Sequence, residues 1–440
     1  MARKAKPKAL KARRLNELTA AQAARAIAAG EITSEALVAA CLDHIDIREP
    51  TVHAWAYLNP AQVMAEARAR DRELKRSGPR GALHGVPIGV KDVLDTADMP
   101  TQMGSDIFED WRPKADAACV ALVRKAGAVI VGKTVTCELA GVAPRETTNP
   151  LDPRRTPGGS SSGSAAAVAD FQVPVAFGTQ TGGSVLRPAS FCGVIGYKPT
   201  YNMINRAGVK FAAETLDTIG LIARTVEDAA LVADVCTDRV PVALDVLDRP
   251  PVVGLCRNVM WEECASAETK AALEGAAVRA MSAGAIVREV ELGAEFKDLF
   301  KRRAEINDYE RACGLAWEWA HHRDKLSPQM TRTVEQGLAL PHARYQDTLR
   351  LAERCRLALE ARMTDLDVLL TPAADGEAPL GLEYAGNPAF QALWTMLHVP
   401  TISLPLAKGP NGMPVGVQLV AARWQDRRLL SIAQWMMGLA

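Results

Sequence analysis

Apolar residues spaced three and four positions apart indicate helices in the first eighty residues of the chain. Three helices are predicted from this spacing: residues 19–30, a segment capped by Thr33 or Ser34, and residues 59–76. A Gly-Pro-Arg-Gly turn at 78–81 ends the pattern. We therefore expect residues 15–80 to form an N-terminal helical layer.

Beyond residue 80, short apolar runs alternate with helical segments. Strands are predicted at 86–91, 128–131, 173–178, 250–255, 286–290, 367–372, 399–405 and 413–420. Helices are predicted at 117–126, 165–169 (capped by Ser162 or Ser164), 222–236, 265–284 and 426–437, and 294–365 is mostly helical. Alternation of this kind is typical of an α/β fold.

Composition and charge narrow the function classes. Apolar residues make up 48% of the chain and its net charge is +1, as in ordinary soluble proteins without a general attraction to nucleic acid or membranes. No apolar run is long enough to span a bilayer, and the start lacks the apolar segment of a secretory signal. We expect a cytoplasmic protein with neither a nucleic-acid nor a membrane partner.

The nine cysteines are an odd number without CxxC pairs, which argues against a disulfide framework or a zinc site, so no metal is expected. Residues 1–14 carry seven Lys or Arg and no acid. A nucleic-acid or membrane-binding arm is one interpretation of this segment. We favour a disordered, solvated tail, dispensable for activity, because no aromatic residues are interleaved.

One string resembles a nucleotide-binding loop. Gly127, Gly132, Lys133 and Thr134 match the G-x4-G-K-T spacing. The residues between the glycines form the apolar strand, whereas a phosphate loop must be exposed between a strand and a helix. Nucleotide binding is therefore not expected here, and no cofactor is predicted.

The most informative stretch is 156–187, TPGGSSSGSAAAVADFQVPVAFGTQTGGSVLR. It contains two glycine pairs, each followed by serine: one pair precedes Ser160 and the other precedes Ser184. Glycines let backbone N–H groups converge on one point, which suits a developing oxyanion, and a serine beside such a nest can attack a carbonyl.

Such a serine needs a base, and the stretch contains no histidine. Lys91 is the alternative, because it ends the apolar run Val86–Val90 that a buried strand would carry into the interior. Burial disfavours the ammonium form. Lowering the lysine pKa from about 10.4 to near 7 takes roughly 4–5 kcal/mol, which requires an enclosed site.

GGSSSGSAAAVA, GTQTGGSVLRPASFCGVIGYKPT and GVPIGVKD together resemble the amidase signature family, whose members use a Ser-cisSer-Lys triad. The resemblance implies that Ser184 is the nucleophile, Ser160 the bridging serine and Lys91 the base. It also implies a cis peptide between Gly159 and Ser160. Backbone N–H groups of the segment from Thr181 through Gly182 and Gly183 to Ser184 would form the oxyanion hole.

The resemblance covers nearly the whole chain and favours one large domain over two, although 440 residues exceed the usual limit of roughly 250–300 for a single core. It implies a mixed central β-sheet flanked by helices on both faces. We expect these parts: a basic tail at 1–14 and one domain at 15–440, comprising the helical layer at 15–80, a signature core at 81–235, a variable substrate-shaping region at 240–365 and C-terminal core strands and a helix at 366–440.

The chain departs from the family pattern at two linked positions. Many members have an acid at Gln180 and an arginine at Leu186, and here both residues are neutral. Arg187 follows one place later, where a subset resembling malonamidase-type enzymes has an arginine that contacts a substrate carboxylate. Arginine suits this task by its planar, two-pronged donor set. The alternative is that Arg187 holds loop carbonyls in place by hydrogen bonds, and we give the two roles equal weight.

We interpret the chain as an amidase that hydrolyses a small-molecule carboxamide through an acyl-serine. One alternative is an A-type subunit of a tRNA-dependent amidotransferase, which would need partner chains; Arg187 and the missing pair at 180 and 186 weigh against it. A non-catalytic binding protein on the same scaffold and an esterase are the two remaining hypotheses. The sequence identifies neither the amide nor the oligomeric state, and a homodimer stays open.

Overall fold

A mixed β-sheet of eleven strands runs through the computed structural model, which describes residues 14–439. The strands are β1 (Trp55–Leu58), β2 (Pro87–Lys91), β3 (Val129–Thr134), β4 (Val175–Gln180), β5 (Ile195–Lys198), β6 (Thr218–Ala223), β7 (Val252–Leu255), β8 (Ile286–Glu289), β9 (Val368–Pro372), β10 (Thr401–Lys408) and β11 (Pro414–Val420). Their order across the sheet is β1-β3-β2-β4-β6-β5-β10-β11-β9-β7-β8.

Strand direction changes several times across the sheet. β2 is parallel to both β3 and β4, and β7 is parallel to both β8 and β9. The strands between these two parallel groups, from β4 through to β9, pair antiparallel, as does β1 at the edge. The predicted mixed sheet is confirmed.

The α-helices connect and cover these strands. They are α1 (Ala20–Ala28), α2 (Ser34–Val52), α3 (Pro60–Ser77), α4 (Ala118–Lys125), α5 (Ser162–Ala169), α6 (Leu186–Cys192), α7 (Val226–Cys236), α8 (Trp261–Cys264), α9 (Ala267–Ser282), α10 (Ala294–Lys301), α11 (Arg303–Gly314), α12 (Ala316–His321), α13 (Pro328–Ala339), α14 (His342–Arg362), α15 (Ala392–Met396) and α16 (Asp426–Met437). None of the helices between residues 14 and 439 is both long and apolar enough to cross a membrane.

Both faces of the sheet are buried under helices. In β4, Val175 and Phe177 join a hydrophobic cluster with residues of α1, α4, α7, α9 and α16, whereas Ala176 between them joins a second cluster with α3 and α5. Successive strand residues point to opposite faces, so these two clusters lie on the two sides of the sheet. The expectation of helices on both faces is confirmed.

Several elements differ from the prediction made by pattern. β1 lies inside the expected helical layer, and β5 and β6 were not predicted. The predicted helix 222–236 begins only at Val226, because Ile222 and Ala223 complete β6. A fully buried central strand shows no alternation of polar and apolar residues. The sequence pattern therefore does not distinguish the end of β6 from the apolar helix that follows it.

The predicted cap of α5 is wrong. Its N-cap is Ser161, which makes no side-chain capping bond. Ser162 Oγ instead donates to the Val135 carbonyl at 3.3 Å, and Ser164 Oγ donates to the Phe177 carbonyl at 2.8 Å. Both hydroxyls bind main-chain carbonyls outside the helix, because α5 is buried against the sheet and buried hydroxyls need partners.

The phosphate-loop string lies within β3 from Val129 onward, as the apolar pattern predicts. Lys133 is buried; its Nζ lies 3.2 Å from Asp92 Oδ1 and donates to Thr101 Oγ1 at 2.6 Å. Through these contacts the Lys133 amine joins β3 to the loop that follows β2. The string therefore has a packing explanation without any nucleotide.

The basic tail expected at residues 1–14 lies almost wholly outside the described residues, which begin at Arg14.

Candidate active site

Lys91 is the last residue of β2, in which all five residues are buried. Its Nζ lies 2.8 Å from Ser160 Oγ, 2.8 Å from Thr179 Oγ1 and 3.4 Å from the Thr179 carbonyl oxygen. Burial lowers the pKa of Lys91 to about 7. At neutral pH a large fraction of this amine is therefore uncharged inside the protein.

The contacts of Lys91 suit both forms of its amine, because the three N–H groups of the charged form can donate to Ser160 and to the two Thr179 oxygens. An uncharged amine has two N–H donors and one lone pair, and Thr179 offers it two oxygen acceptors. With both N–H groups directed at Thr179, the lone pair is left for the hydroxyl of Ser160. The sequence did not single out Thr179, although this residue lies five positions before Ser184 in the same stretch.

Ser160 follows a cis peptide bond after Gly159, as the family resemblance implied. Its side chain is buried. The main chain of Ser161 donates to the Ser184 carbonyl at 3.2 Å, which joins the two serine segments. The structure thus brings Lys91 and Ser160 into direct contact and holds Ser184 beside them, without a hydrogen bond from the Ser184 hydroxyl to any described residue.

The segment from Thr181 to Ser184 lines a cavity of about 190 Å³. Among the described residues, nothing accepts a hydrogen bond from the backbone N–H of Gly182, Gly183 or Ser184. Consecutive N–H groups left free beside a cavity can bind an anionic oxygen. The Thr181 side chain is engaged elsewhere, because its hydroxyl donates to the buried carboxylate of Asp217.

Gly183 is required by close packing. A Cβ built at this position would lie 2.6 Å from Gln391 Oε1 and 2.9 Å from Gln391 Cδ, closer than such atoms approach in folded proteins. Gln391 itself is fully buried, and its amide donates to the Ala373 carbonyl. A side chain at 183 would therefore push the loop away from the segment that supports it.

Much of the remaining cavity lining comes from α11 and α13. The α11 residues in this lining are Arg303, Ala304, Asn307, Asp308 and Arg311, and those of α13 are Gln329, Met330 and Thr333. All of them lie within the region 240–365. The sequence named none of these residues, because their helices show only ordinary amphipathic spacing and no motif.

Arg187, in α6, lines the same cavity and is only 4% exposed. Its Nη2 donates to the Gly159 carbonyl at 2.6 Å, while its Nε and Nη1 are buried without a hydrogen-bond partner among the described residues. Burial lowers the pKa of Arg187 to about 10. No described carboxylate lies within ion-pair distance of this arginine. A buried guanidinium with two free nitrogens fits an anion placed in the cavity.

Comparison with known proteins gives consistent results. The Amidase family model matches residues 36–430. A curated relative, the A-type subunit of the glutamyl-tRNA(Gln) amidotransferase of Oleidesulfovibrio alaskensis, is 34% identical over 94% of this chain and 96% of its own length.

Two solved structures superpose over most of the chain. One, a crystal structure of an amidase, has a TM-score of 0.88 at 31% identity and covers 96% of this chain and 99% of its own. Another, the peptide amidase from Stenotrophomonas maltophilia, has a TM-score of 0.81 at 28% identity and covers 96% of each chain. The mixed sheet, the Gly-Ser-rich segments beside a buried lysine and these matches lead to one assignment: the chain belongs to the amidase signature family.

Proposed function

We propose that this enzyme hydrolyses a carboxamide to a carboxylate and ammonia or an amine through an acyl-Ser184 intermediate. The observation that carries the proposal is the contact between buried Lys91 and Ser160. The pKa of this lysine is lowered to about 7, and Ser184, which the adjoining segment holds nearby, lines the cavity. A base is most effective when its pKa lies near the working pH.

In the proposed reaction Ser184 Oγ attacks the amide carbon while its proton passes to Ser160, and the proton of Ser160 passes to Lys91. The carbonyl oxygen becomes an oxyanion, for which the free N–H groups of Gly182, Gly183 and Ser184 are the proposed donors. The C–N bond breaks as the relay returns the proton to the departing nitrogen. Water then attacks the acyl-enzyme, again losing a proton through the relay, and releases the carboxylate.

The hydroxyls of Ser160 and Ser184 are not hydrogen-bonded to each other among the described residues. Catalytic hydrogen bonds are often long before substrate binds and tighten in the complex. The proposal requires the two hydroxyls to come into contact when substrate binds, and the Ser161 N–H to Ser184 carbonyl bond already joins the two segments.

Arg187 supports a substrate that carries a carboxylate. Its bond to the Gly159 carbonyl accounts for one nitrogen, so the loop-tethering role holds in part. The two remaining buried nitrogens have no described partner, and leaving charged donors unpaired is costly. A carboxylate of the substrate would supply the missing acceptors. The proposed substrates are therefore amides of the malonamate type, with a carboxylate near the scissile bond.

We expect Arg187→Ala to lower the preference for malonamate over propionamide by about 10- to 100-fold, the value of a charge-assisted hydrogen bond. The measurement is ammonia release from each amide, compared as kcat/KM. Arg279→Ala is the matched control, because this α9 arginine also donates to a carbonyl, that of Leu406, but lies outside the cavity lining. Equal losses for both amides would leave Arg187 as a loop tether only.

A second candidate function is that of an A-type amidotransferase subunit. The curated relatives support this function more strongly than the first one, because several of them at 33–34% identity are A-type amidotransferase subunits. The superposed amidase structures support free hydrolysis. Both functions share amide cleavage at Ser184. They differ in dependence on partners, because an isolated hydrolase turns over amides alone. Steady ammonia release by the purified chain would support hydrolysis; activity appearing only with partner subunits and glutamyl-tRNA(Gln) would support the second function.

The sequence also leaves open an esterase and a non-catalytic binding protein. A panel of malonamate, aliphatic amides, aryl amides and p-nitrophenyl esters distinguishes them. We expect turnover of amides together with ready acylation by the esters, since esters have better leaving groups. Ester turnover without amide turnover would make the chain an esterase, and binding without turnover would make it a binding protein.

A further inference from the structure

Gln180, where many family members have an acid, connects α15 to residues 181–184, here called the glycine loop. Its Oε1 accepts hydrogen bonds from the main-chain N–H of Val185 at 2.9 Å and of Leu186 at 3.1 Å. Its Nε2 donates to Thr395 Oγ1 at 3.1 Å. The side-chain amide has only one orientation that satisfies these contacts, because the two N–H groups need the oxygen.

The Thr395 hydroxyl is then left with one acceptor for its proton. Since Gln180 already donates to this oxygen, the hydroxyl proton is directed to the Gly182 carbonyl, which lies 3.2 Å away. Thr395 is 1% exposed, so its hydroxyl has little access to water. The chain of contacts therefore runs from the Gln180 amide through the Thr395 hydroxyl to the peptide between Gly182 and Gly183.

This peptide is trans, so its carbonyl and its N–H point in opposite directions. Holding the Gly182 carbonyl at Thr395 directs the Gly183 N–H away from Thr395, and that N–H is one of those left without an acceptor beside the cavity. Glycine on both sides of a peptide leaves it free to rotate, because no Cβ restricts the flanking angles. Rotation would turn a carbonyl oxygen, instead of a donor, toward the oxyanion.

We propose that Thr395, oriented by Gln180, is a positioning residue that holds the Gly182–Gly183 peptide with its N–H available to the oxyanion. Thr395 acts through this peptide and does not itself touch the reacting atoms. The inference rests on the proposed acyl-Ser184 reaction. It predicts that loss of the hydroxyl slows acylation without changing substrate binding or the titration of the base.

The test compares Thr395→Val, which keeps the shape and removes the hydroxyl, with Thr395→Ser, which retains it. p-Nitrophenyl butyrate serves as the probe, and the burst of p-nitrophenolate gives the acylation rate at saturation, its dependence on ester concentration and its pH profile. We expect Thr395→Val to slow acylation by about 10- to 100-fold, somewhat less than complete removal of an oxyanion donor. Thr395→Ser is expected to stay within about threefold of the unaltered enzyme.

Thr401→Val is the matched control. This buried threonine at the start of β10 has a hydroxyl without a hydrogen-bond partner among the described residues, and it does not line the cavity. It tests the general cost of replacing a buried threonine by valine. Its acylation rate is expected to equal that of the unaltered enzyme, and thermal unfolding of each variant shows whether the fold is kept.

The outcomes separate the two proposals. If the unaltered enzyme gives no burst, or if Ser184→Ala gives the same burst, the acyl-Ser184 function fails and this inference fails with it. If the burst depends on Ser184 but Thr395→Val matches the unaltered enzyme, only the positioning role fails. A shifted pH midpoint, or equal losses in the valine and serine variants, also overturns it, because the hydroxyl would then not act through the peptide.

Discussion

Replacing Ser184 with alanine is expected to lower kcat for amide hydrolysis by about 10⁴- to 10⁶-fold, the range for removal of a serine nucleophile. The Ser160 hydroxyl is not expected to take its place, because it is buried against Lys91 while Ser184 lines the cavity. The free N–H groups of the glycine loop would remain and bind substrate. We therefore expect KM to change far less than kcat.

Ammonia release measures the loss, and intact mass after rapid quenching measures the acyl adduct. The unaltered chain is expected to carry one acyl group, which peptide mapping assigns to Ser184. Ser162→Ala is the control, since Ser162 Oγ donates to the Val135 carbonyl and this serine does not line the cavity. Full turnover by Ser184→Ala, or an adduct on another residue, would refute the mechanism.

Replacing Lys91 with methionine is expected to lower kcat by about 10²- to 10⁴-fold, the usual contribution of a general base. Methionine fills most of the volume of the lysine stem and so limits the loss of packing. The unaltered enzyme should lose activity as the pH falls through about 7, because Lys91 works as a base only when uncharged and its pKa lies near that value. Activity should level off above about pH 8, where the amine is almost wholly uncharged.

A pH midpoint near 7 does not by itself identify Lys91. Lys198 in β5 is also fully buried, and burial lowers its pKa to about 7 as well. Its amine donates to the Pro199 and Val399 carbonyls and does not line the cavity. Lys198→Met is therefore the matched control: it is expected to keep both the activity and the midpoint. If Lys198→Met alone abolished the loss of activity at low pH, the pH midpoint would be assigned to Lys198 instead of Lys91.

The local patterns predicted much of the fold because the spacing of apolar residues in each periodic segment indicates which of them are buried. α1, α3, α9 and α16 begin and end within about two residues of their predicted bounds, and β2 carries Lys91 into the interior as its apolar run indicated. Three strands were missed: β1 lies at the edge of the sheet, and β5 and β6 lie at its centre. There both faces are covered, so their residues do not alternate and resemble neighbouring helix or loop.

The candidate site divides in the same way. Residues within one motif, such as Ser160 and Ser184, could be named from sequence because the glycines that shape their loops lie beside them. Thr395 and Gln391 could not, because about two hundred positions or more separate them from the glycine loop that they contact. Thr179 was missed for another reason: a threonine near the end of an apolar strand gives no sign that it will face a lysine.

By itself the sequence determined the family, the chemical groups of the proposed reaction and the burial of Lys91, since these follow from short segments read in order. Only the tertiary structure decided which distant residues surround those groups. Folding placed α11 residues in the same cavity lining as Ser184, left two nitrogens of Arg187 without a described partner, and joined Gln180 to the glycine loop through Thr395. Contacts between elements far apart in the chain depend on how the sheet and helices pack, and no local pattern of residues encodes that packing.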